Sequence, residues 1–189
     1  MGRHYQHRAH IIDLVSPTPE KQMFGIAATI MFLPRRDDLS GPDTPEFDEW
    51  FLSAVGDDPA GKILAMSHGG YPDASHGGGV KLSRLHNHDL AGLLTDGRLR
   101  DFSELGEYDF VTWCAGETTR WGGDVVSPAA AGVPIHVGGV RIVPGDYLYA
   151  DNAGAVVIPA ESVHDIIQEA HVVQAEDAAA LTTIRDARP

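Results

Sequence analysis

The feature that most constrains this chain is a glycine-rich loop between a short apolar run and a segment with helical spacing. Residues 68–79 contain five glycines and one proline, which is too much backbone freedom for a regular helix or strand. The apolar run 61–67 precedes the loop, a helical pattern from Val80 follows it, and Leu93 to Thr95 form a brief strand. This order predicts an α/β unit, in which the loops that follow the strands form the site.

The rest of the chain extends this pattern. We predict strands at 11–15 and 24–33, a helix at 46–55, and then short strands at 110–114, 134–137, 140–143, 147–149 and 155–158. A long helix is predicted over 160–185, with an apolar face formed by Val163, Ile166, Ile167, Ala170 and Val173. No repeat or linker divides the sequence, so we expect a single domain over residues 1–189.

The charge of the chain restricts its partners. Lys and Arg number 14 and Asp and Glu 27, for a net charge of −13, which disfavours nucleic acids and anionic membranes as partners. The longest apolar stretch, 24–33, is shorter than the roughly 20 residues of a membrane span. The single cysteine, Cys114, permits no intrachain disulfide and lies in an apolar run. We therefore expect a cytoplasmic protein in which Cys114 is a buried strand residue.

Two stretches of sequence carry a family resemblance. Gly79 is followed by twenty residues, then Arg100-Asp101, then two residues and Glu104. A second stretch comprises residues 132–139, 143–146, 150–151, 154 and 156–159. In this order the two stretches resemble the class II aldolases of 4-hydroxy-4-methyl-2-oxoglutarate and 4-carboxy-4-hydroxy-2-oxoadipate, and their relatives the ribonuclease-activity regulators. The resemblance covers about residues 25–176.

The resemblance implies a fold and an assembly. The family fold is a three-layer β/β/α domain, similar to the swivelling phosphohistidine domain and closed by a long C-terminal helix. Family members form ring-shaped homotrimers, sometimes paired into hexamers, with their sites at subunit interfaces. A carboxylate from the C-terminal helix of a neighbouring subunit completes each site, and Glu176 stands at the matching place here.

The residue types at Arg100 and Asp101 agree with the chemistry that the resemblance implies. Arg100 offers a rigid fork of donors for a carboxylate or a developing enolate oxygen. Asp101 offers a hard oxygen ligand for Mg²⁺ or Mn²⁺. We therefore expect a metal-dependent carbon–carbon lyase that cleaves or decarboxylates a small 2-oxo acid through a pyruvate enolate. Its catalytic residues would be Arg100, Asp101 and Glu176, with Asp101 as the metal ligand.

The glycine loop and the first helical turn are expected to bind the substrate through backbone N–H groups. The residues assigned to this role, together with Arg100, are Gly78, Gly79, Val80, Lys81 and Leu82. Family members often carry an acidic residue directly after the loop glycine, whereas Val80 stands there in this chain. His76, within the loop, is expected to be solvated, and Asp96 is expected to form a turn.

Two other interpretations remain open. The chain could be a non-enzymatic binder of a partner protein, like the ribonuclease regulators, or a family member recruited to another metabolic pathway. Regulators of that kind lack the aspartate after the arginine, so the presence of Asp101 favours the enzyme.

Overall fold

The computed structural model describes residues 6–39, 41 and 44–187 of the chain. Its first half contains β1 (His10–Ile11), β2 (Met23–Pro34), α1 (Phe47–Val55), β3 (Ile63–Met66), α2 (Gly79–Asn87), β4 (Gly92–Thr95) and α3 (Phe102–Leu105). Its second half contains β5 (Val111–Trp113), β6 (Val126–Ala131), β7 (Ile135–Val137), β8 (Val140–Ile142), β9 (Tyr147–Asp151), β10 (Gly154–Ile158) and α4 (Val163–Asp186). Short 3₁₀ turns at Asp37–Leu39 and Ala160–Ser162 complete the elements.

The long strand β2 joins two sheet regions. Residues 23–26 of β2 pair antiparallel with β9, which leads to β10 and β1. Residues 27–30 pair parallel with β3, and β4 and β5 continue the parallel part of the sheet. The strand order is therefore β1-β10-β9-β2-β3-β4-β5, and β7 and β8 form a separate hairpin.

Both faces of the parallel strands are buried. In β3, Ile63 and Ala65 pack into a cluster with residues of β9, β10 and the β7–β8 hairpin, whereas Leu64 and Met66 pack against α1 and α2. This alternation follows from the strand period of two, and it places one apolar layer between strands and another between strands and helices. The structure confirms the predicted three-layer β/β/α arrangement of an α/β fold with a long C-terminal helix.

Two strand predictions need correction. The strand expected at 11–15 is only His10–Ile11, after which Val15 makes an isolated bridge to Cys114. Sequence reasoning missed β6, because it contains Pro128 and small residues that are atypical of strands. Pro128 is tolerated because β6 pairs only with the end of β2, next to an irregularity in the register between Met31 and Phe32.

Helix α4 extends over 24 residues, and none of them is buried. The apolar face predicted for this helix is therefore only partly covered by the described part of the chain: Val163, Ile166 and Val173 are half-buried, whereas Ile167 and Ala170 are exposed. Ile167 is 40% exposed and Leu181 is 52% exposed. Within the described residues, no helix is both long enough and apolar enough to cross a membrane.

Candidate active site

The loops after β3 and β4 run side by side at the carboxyl ends of these strands. The N–H of His76 donates to the carbonyl of Arg98 at 2.9 Å, and the N–H of Arg100 donates to the carbonyl of Gly77 at 3.0 Å. Leu99, between the two arginines, is fully buried. This backbone pairing and the buried leucine fix the position of Arg100 beside the glycine loop.

Asp101 occupies a left-handed backbone conformation, with φ of 64°. Few residues other than glycine adopt this conformation, and aspartate is among those that tolerate it best. The Asp101 carboxylate accepts the backbone N–H of Gly79 at 3.1 Å, and Nε of Arg100 lies 3.4 Å from the same oxygen. The carboxylate remains 42% exposed, so it is positioned by the loop and still open to a ligand.

Gly78 and Gly79 have no room for side chains. A Cβ at Gly78 would overlap the side chains of Asp101 and Arg100, and a Cβ at Gly79 would overlap the carboxyl group of Glu104. The hydroxyl of Tyr108 is within 3.3 Å of both the Gly79 carbonyl and the Glu104 carboxylate. The carboxylates of the Arg-Asp-x2-Glu segment thus lie directly against the spaced glycine of the sequence motif.

A cavity of about 600 Å³ opens beside this loop. Arg100 and Lys81 line it together with His76, Phe47 and Trp121. Nζ of Lys81 donates to the His76 carbonyl at 3.0 Å and lies 4.2 Å from the centre of the Phe47 ring. With Arg35, the cavity has three cationic side chains, and it combines them with the carboxylate of Glu46 and aromatic walls.

Burial, together with the positive charges of Arg100 and Arg84, lowers the pKa of the Lys81 ammonium group from 10.5 to about 8. The group still carries its proton most of the time at pH 7. A positive cavity in a chain of net charge −13 favours small anionic ligands.

His76 is not the solvated residue that the sequence suggested. Its ring is buried between the carbonyls of Ala74 (2.9 Å) and His68 (3.0 Å), and burial lowers its pKa. Asp96 also does more than form a turn, since its carboxylate accepts the N–H groups of His68 at 2.9 Å and Gly138 at 2.8 Å. Both side chains hold the loops in place, which explains why polar residues recur in this segment.

The structure brings together some of the predicted site residues and separates others. Gly78, Gly79, Arg100 and Asp101 are in mutual contact, and Lys81 shares the cavity with Arg100. Val80 is 79% exposed at the start of α2. Leu82 lies in the core, and its N–H donates to the Gly78 carbonyl. Glu176 lies on the exposed helix α4 and is not among the described residues that line the cavity.

The metal donors are few. Within residues 6–39, 41 and 44–187, no three His, Cys, Asp or Glu side chains form a metal-binding group. Asp101 and Glu104 are the carboxylates that lie against the glycine loop. Such a sparse oxygen set suits Mg²⁺ or Mn²⁺, which keep several waters, better than a metal that needs a complete protein cage.

Sequence reasoning missed the aromatic walls of the cavity. Phe47 belongs to α1, where its spacing indicated only an apolar helix face, and Phe32 belongs to β2. Lys81 lies 5.6 Å from the Phe32 ring and closer to Phe47. No local pattern links these three positions, because the contact depends on how α1 and α2 pack on the sheet.

Comparisons with known proteins agree with this geometry. A family model described as RraA-like (aldolase/RraA) matches residues 2–157. A protein of Halalkalibacterium halodurans, provisionally named 4-hydroxy-4-methyl-2-oxoglutarate aldolase, is 30% identical over 135 residues, which are 71% of this chain and 64% of that protein. Protein DlpA of Legionella pneumophila is 23% identical over 78% of this chain and 23% of its own length.

Among solved structures, RraAS2 of Streptomyces coelicolor is described as an unusual member of the RNase ES inhibitor RraA protein family. It matches with a TM-score of 0.79 at 25% identity, over 97% of this chain and 88% of that chain. The fold and the loop thus define a three-layer α/β protein with a site at its strand ends. The chain belongs to the aldolase/RraA family. It spans less than two thirds of the length of the curated relatives it matches.

Proposed function

We propose that this protein is a divalent-metal-dependent carbon–carbon lyase that cleaves or decarboxylates a small 2-oxo acid through a pyruvate enolate. The observation that carries the proposal is the Arg100–Asp101 pair, held against Gly78 and Gly79 beside a positively charged cavity. The names of relatives as aldolases support the same reaction class.

Asp101 is the proposed ligand of Mg²⁺ or Mn²⁺. Its carboxylate is fixed by the Gly79 N–H and is still partly exposed, as a ligand for a hydrated cation must be. When bound, the metal supplies a Lewis acid that stabilises negative charge on the 2-oxo acid. Glu104, against Gly79, adds negative charge that would help to retain a cation there.

Arg100 is the proposed clamp for the charge that develops on the substrate. Its guanidinium lies next to Asp101 and lines the cavity, so it can contact an oxygen of a 2-oxo acid held at Asp101. A positioned cation is worth most where charge grows between ground state and transition state, as in enolate formation. The N–H groups of Val80 and Lys81, in the first turn of α2, have no intrahelical acceptor and can bind the substrate carboxylate.

We also propose that the site is completed in a homotrimer or hexamer, where Glu176 from the α4 helix of a neighbouring subunit reaches it. The uncovered apolar residues of α4 support this proposal, because an exposed apolar helix face of this length favours association.

The test is release of pyruvate from a panel of substrates, namely oxaloacetate, 4-hydroxy-4-methyl-2-oxoglutarate and related 4-hydroxy-2-oxo acids, with Mg²⁺ and with a chelator. We expect Mg²⁺-dependent release from at least one substrate. Asp101→Asn should abolish release. Asp109→Asn should retain it, because Asp109 is an almost fully exposed carboxylate beside His86 and does not line the cavity. If no member of the panel is turned over in Mg²⁺ or Mn²⁺, the lyase proposal is wrong and a binding function is favoured.

A further inference from the structure

The cations that line the cavity differ in their partners. Nε of Arg35 donates to Asp37 at 3.0 Å and its Nη1 donates to the Gly123 carbonyl at 2.9 Å, while Arg100 is next to Asp101. Lys81 donates to the neutral carbonyl of His76. Among residues 6–39, 41 and 44–187, Lys81 forms no ion pair with a carboxylate. Lys81 is therefore the cation of this cavity whose charge is least compensated.

The surroundings of Lys81 shield its ammonium group from water, and some of them favour its positive charge while others oppose it. The Phe47 ring, at 4.2 Å, presents its negative face to the ammonium, and the Phe32 ring lies at 5.6 Å. Arg100 and Arg84 oppose the charge, as does burial. A desolvated ammonium without a counter-ion costs stability, and such costs concentrate where a ligand is bound.

We propose that Lys81 forms a second anion subsite in this cavity, which binds the distal carboxylate of a dianionic 2-oxo acid. The inference rests on the proposed function, in which Arg100 and Asp101 hold the 2-oxo acid end. At about 600 Å³ the cavity has the size of a small-molecule site and exceeds what a pyruvate-sized ligand needs. A ligand with carboxylates at both ends would compensate the Lys81 charge at one end and the Arg100 charge at the other.

The position of Lys81 on α2 supports this division of roles. Its backbone lies in the first turn, next to Gly79, whereas its side chain extends to the His76 carbonyl and the α1 side of the cavity. The lysine therefore connects the loop that holds Asp101 with the aromatic wall. A primary amine in this environment could instead form an imine with the ketone, releasing water, but the Phe47 ring and the carbonyl acceptor favour the ammonium form.

The test compares two acids of equal chain length, 2-oxoglutarate and 2-oxopentanoate, which differ in the distal carboxylate. Their affinities are measured by calorimetry in the presence of Mg²⁺ for the wild type, Lys81→Met, Lys81→Arg and the control Lys62→Met. Lys62 is a matched control because its Nζ also donates to a backbone carbonyl, that of Val55, at 2.7 Å, and it does not line the cavity.

We expect the wild type and Lys62→Met to bind 2-oxoglutarate about tenfold or more tightly than 2-oxopentanoate. This difference in affinity corresponds to one hydrogen bond between charged groups. Lys81→Met should remove this preference by weakening the binding of 2-oxoglutarate, and Lys81→Arg should keep part of the preference. Equal binding of the two acids by the wild type, or a preference that survives in Lys81→Met, would overturn the subsite while leaving the lyase proposal intact. Absence of binding by either acid would count against both proposals.

Borohydride reduction in the presence of pyruvate, followed by peptide mass spectrometry, tests the imine. We expect no adduct on Lys81. A reduced pyruvyl adduct on this residue would show that the amine acts as a nucleophile and would contradict the anion subsite.

Discussion

The carboxylate of Asp101 accepts the backbone N–H of Gly79 at 3.1 Å across 22 residues of sequence. This bond joins the loop after β3 to the loop after β4, and it explains why the motif requires both residues at their spacing. Gly79 leaves room for the Glu104 carboxyl group directly against the loop, and Asp101 must accept a left-handed conformation to turn its carboxylate toward the loop. Together these conditions place a fixed carboxylate at the start of α2.

Gly79→Ala should lower lyase activity, because its Cβ would overlap the Glu104 carboxyl group and displace this flexible side-chain end from the loop. The control is Gly106→Ala, since a Cβ at Gly106 would meet other atoms only at 3.4 Å or more, at ordinary contact distance. Both variants are compared by pyruvate release and by thermal unfolding. Full activity in Gly79→Ala would mean that the position of the Glu104 carboxylate is not needed for the reaction.

Asp101→Asn should lose binding of Mg²⁺ and Mn²⁺ while the fold is retained. Asparagine tolerates the left-handed conformation and can still accept the Gly79 N–H, so only the charge is removed. We expect the free energy of unfolding to change by no more than about 0.5 kcal/mol. Binding of Mn²⁺ is followed by electron paramagnetic resonance, with Asp109→Asn as control, and unchanged binding in Asp101→Asn would remove Asp101 as the metal ligand.

Lys81→Met should stabilise the protein at neutral pH. The unfolded state binds the lysine proton up to pH 10.5, whereas the folded state binds it only up to about pH 8. The penalty on the folded state is therefore fully present below pH 8 and disappears as pH rises through 10.5, and its size is on the order of 3 kcal/mol.

Urea unfolding of wild type and Lys81→Met at pH 7 and pH 10 measures this penalty. The advantage of the variant should be largest at pH 7 and should shrink at pH 10, because Lys81 of the folded wild type is then mostly neutral. A variant less stable than wild type at pH 7 would show that Lys81 supports the fold instead of the ligand.

The apolar face of α4 should mediate assembly. Light scattering should give three or six times the 20.3 kDa mass of the chain. Val173→Glu, on the apolar face, should dissociate the assembly. Val172→Glu introduces the same charge on the side of the helix roughly opposite the apolar face. This variant should leave the assembly intact. A wild type that remains a monomer at micromolar concentration would contradict the shared site.

The local parts of this structure could be predicted from sequence. The period of the apolar residues predicted β2, α1 and β3, and the glycine loop and the Arg-Asp pair of the motif lie in two loops that the structure brings together. These features depend on residues close in sequence or on a motif of fixed spacing. Leu82 shows the limit of such a motif, since its position suggested substrate contact whereas its side chain completes the core.

The remaining parts depend on tertiary packing. The burial of His76 and the contact of Lys81 with Phe47 arise only when α1, α2 and the loops pack on the sheet. The amphipathic pattern of α4 predicts that its apolar face needs a partner, but the pattern is the same whether the partner is this chain or another. Sequence therefore indicated the apolar face, and the structure adds that the described residues of this chain cover it only in part.

Enolate formation is tested most directly by exchange of the methyl protons of pyruvate in deuterated water, followed by proton NMR. This measurement needs no knowledge of the second product of the natural reaction. We expect the protein to accelerate exchange in Mg²⁺ and not with a chelator. Arg100→Lys should slow exchange by about 10²-fold, because lysine keeps the charge and loses the planar fork. Absence of exchange above background with wild type in Mg²⁺, or an equal rate in Arg100→Lys, would contradict the proposed mechanism.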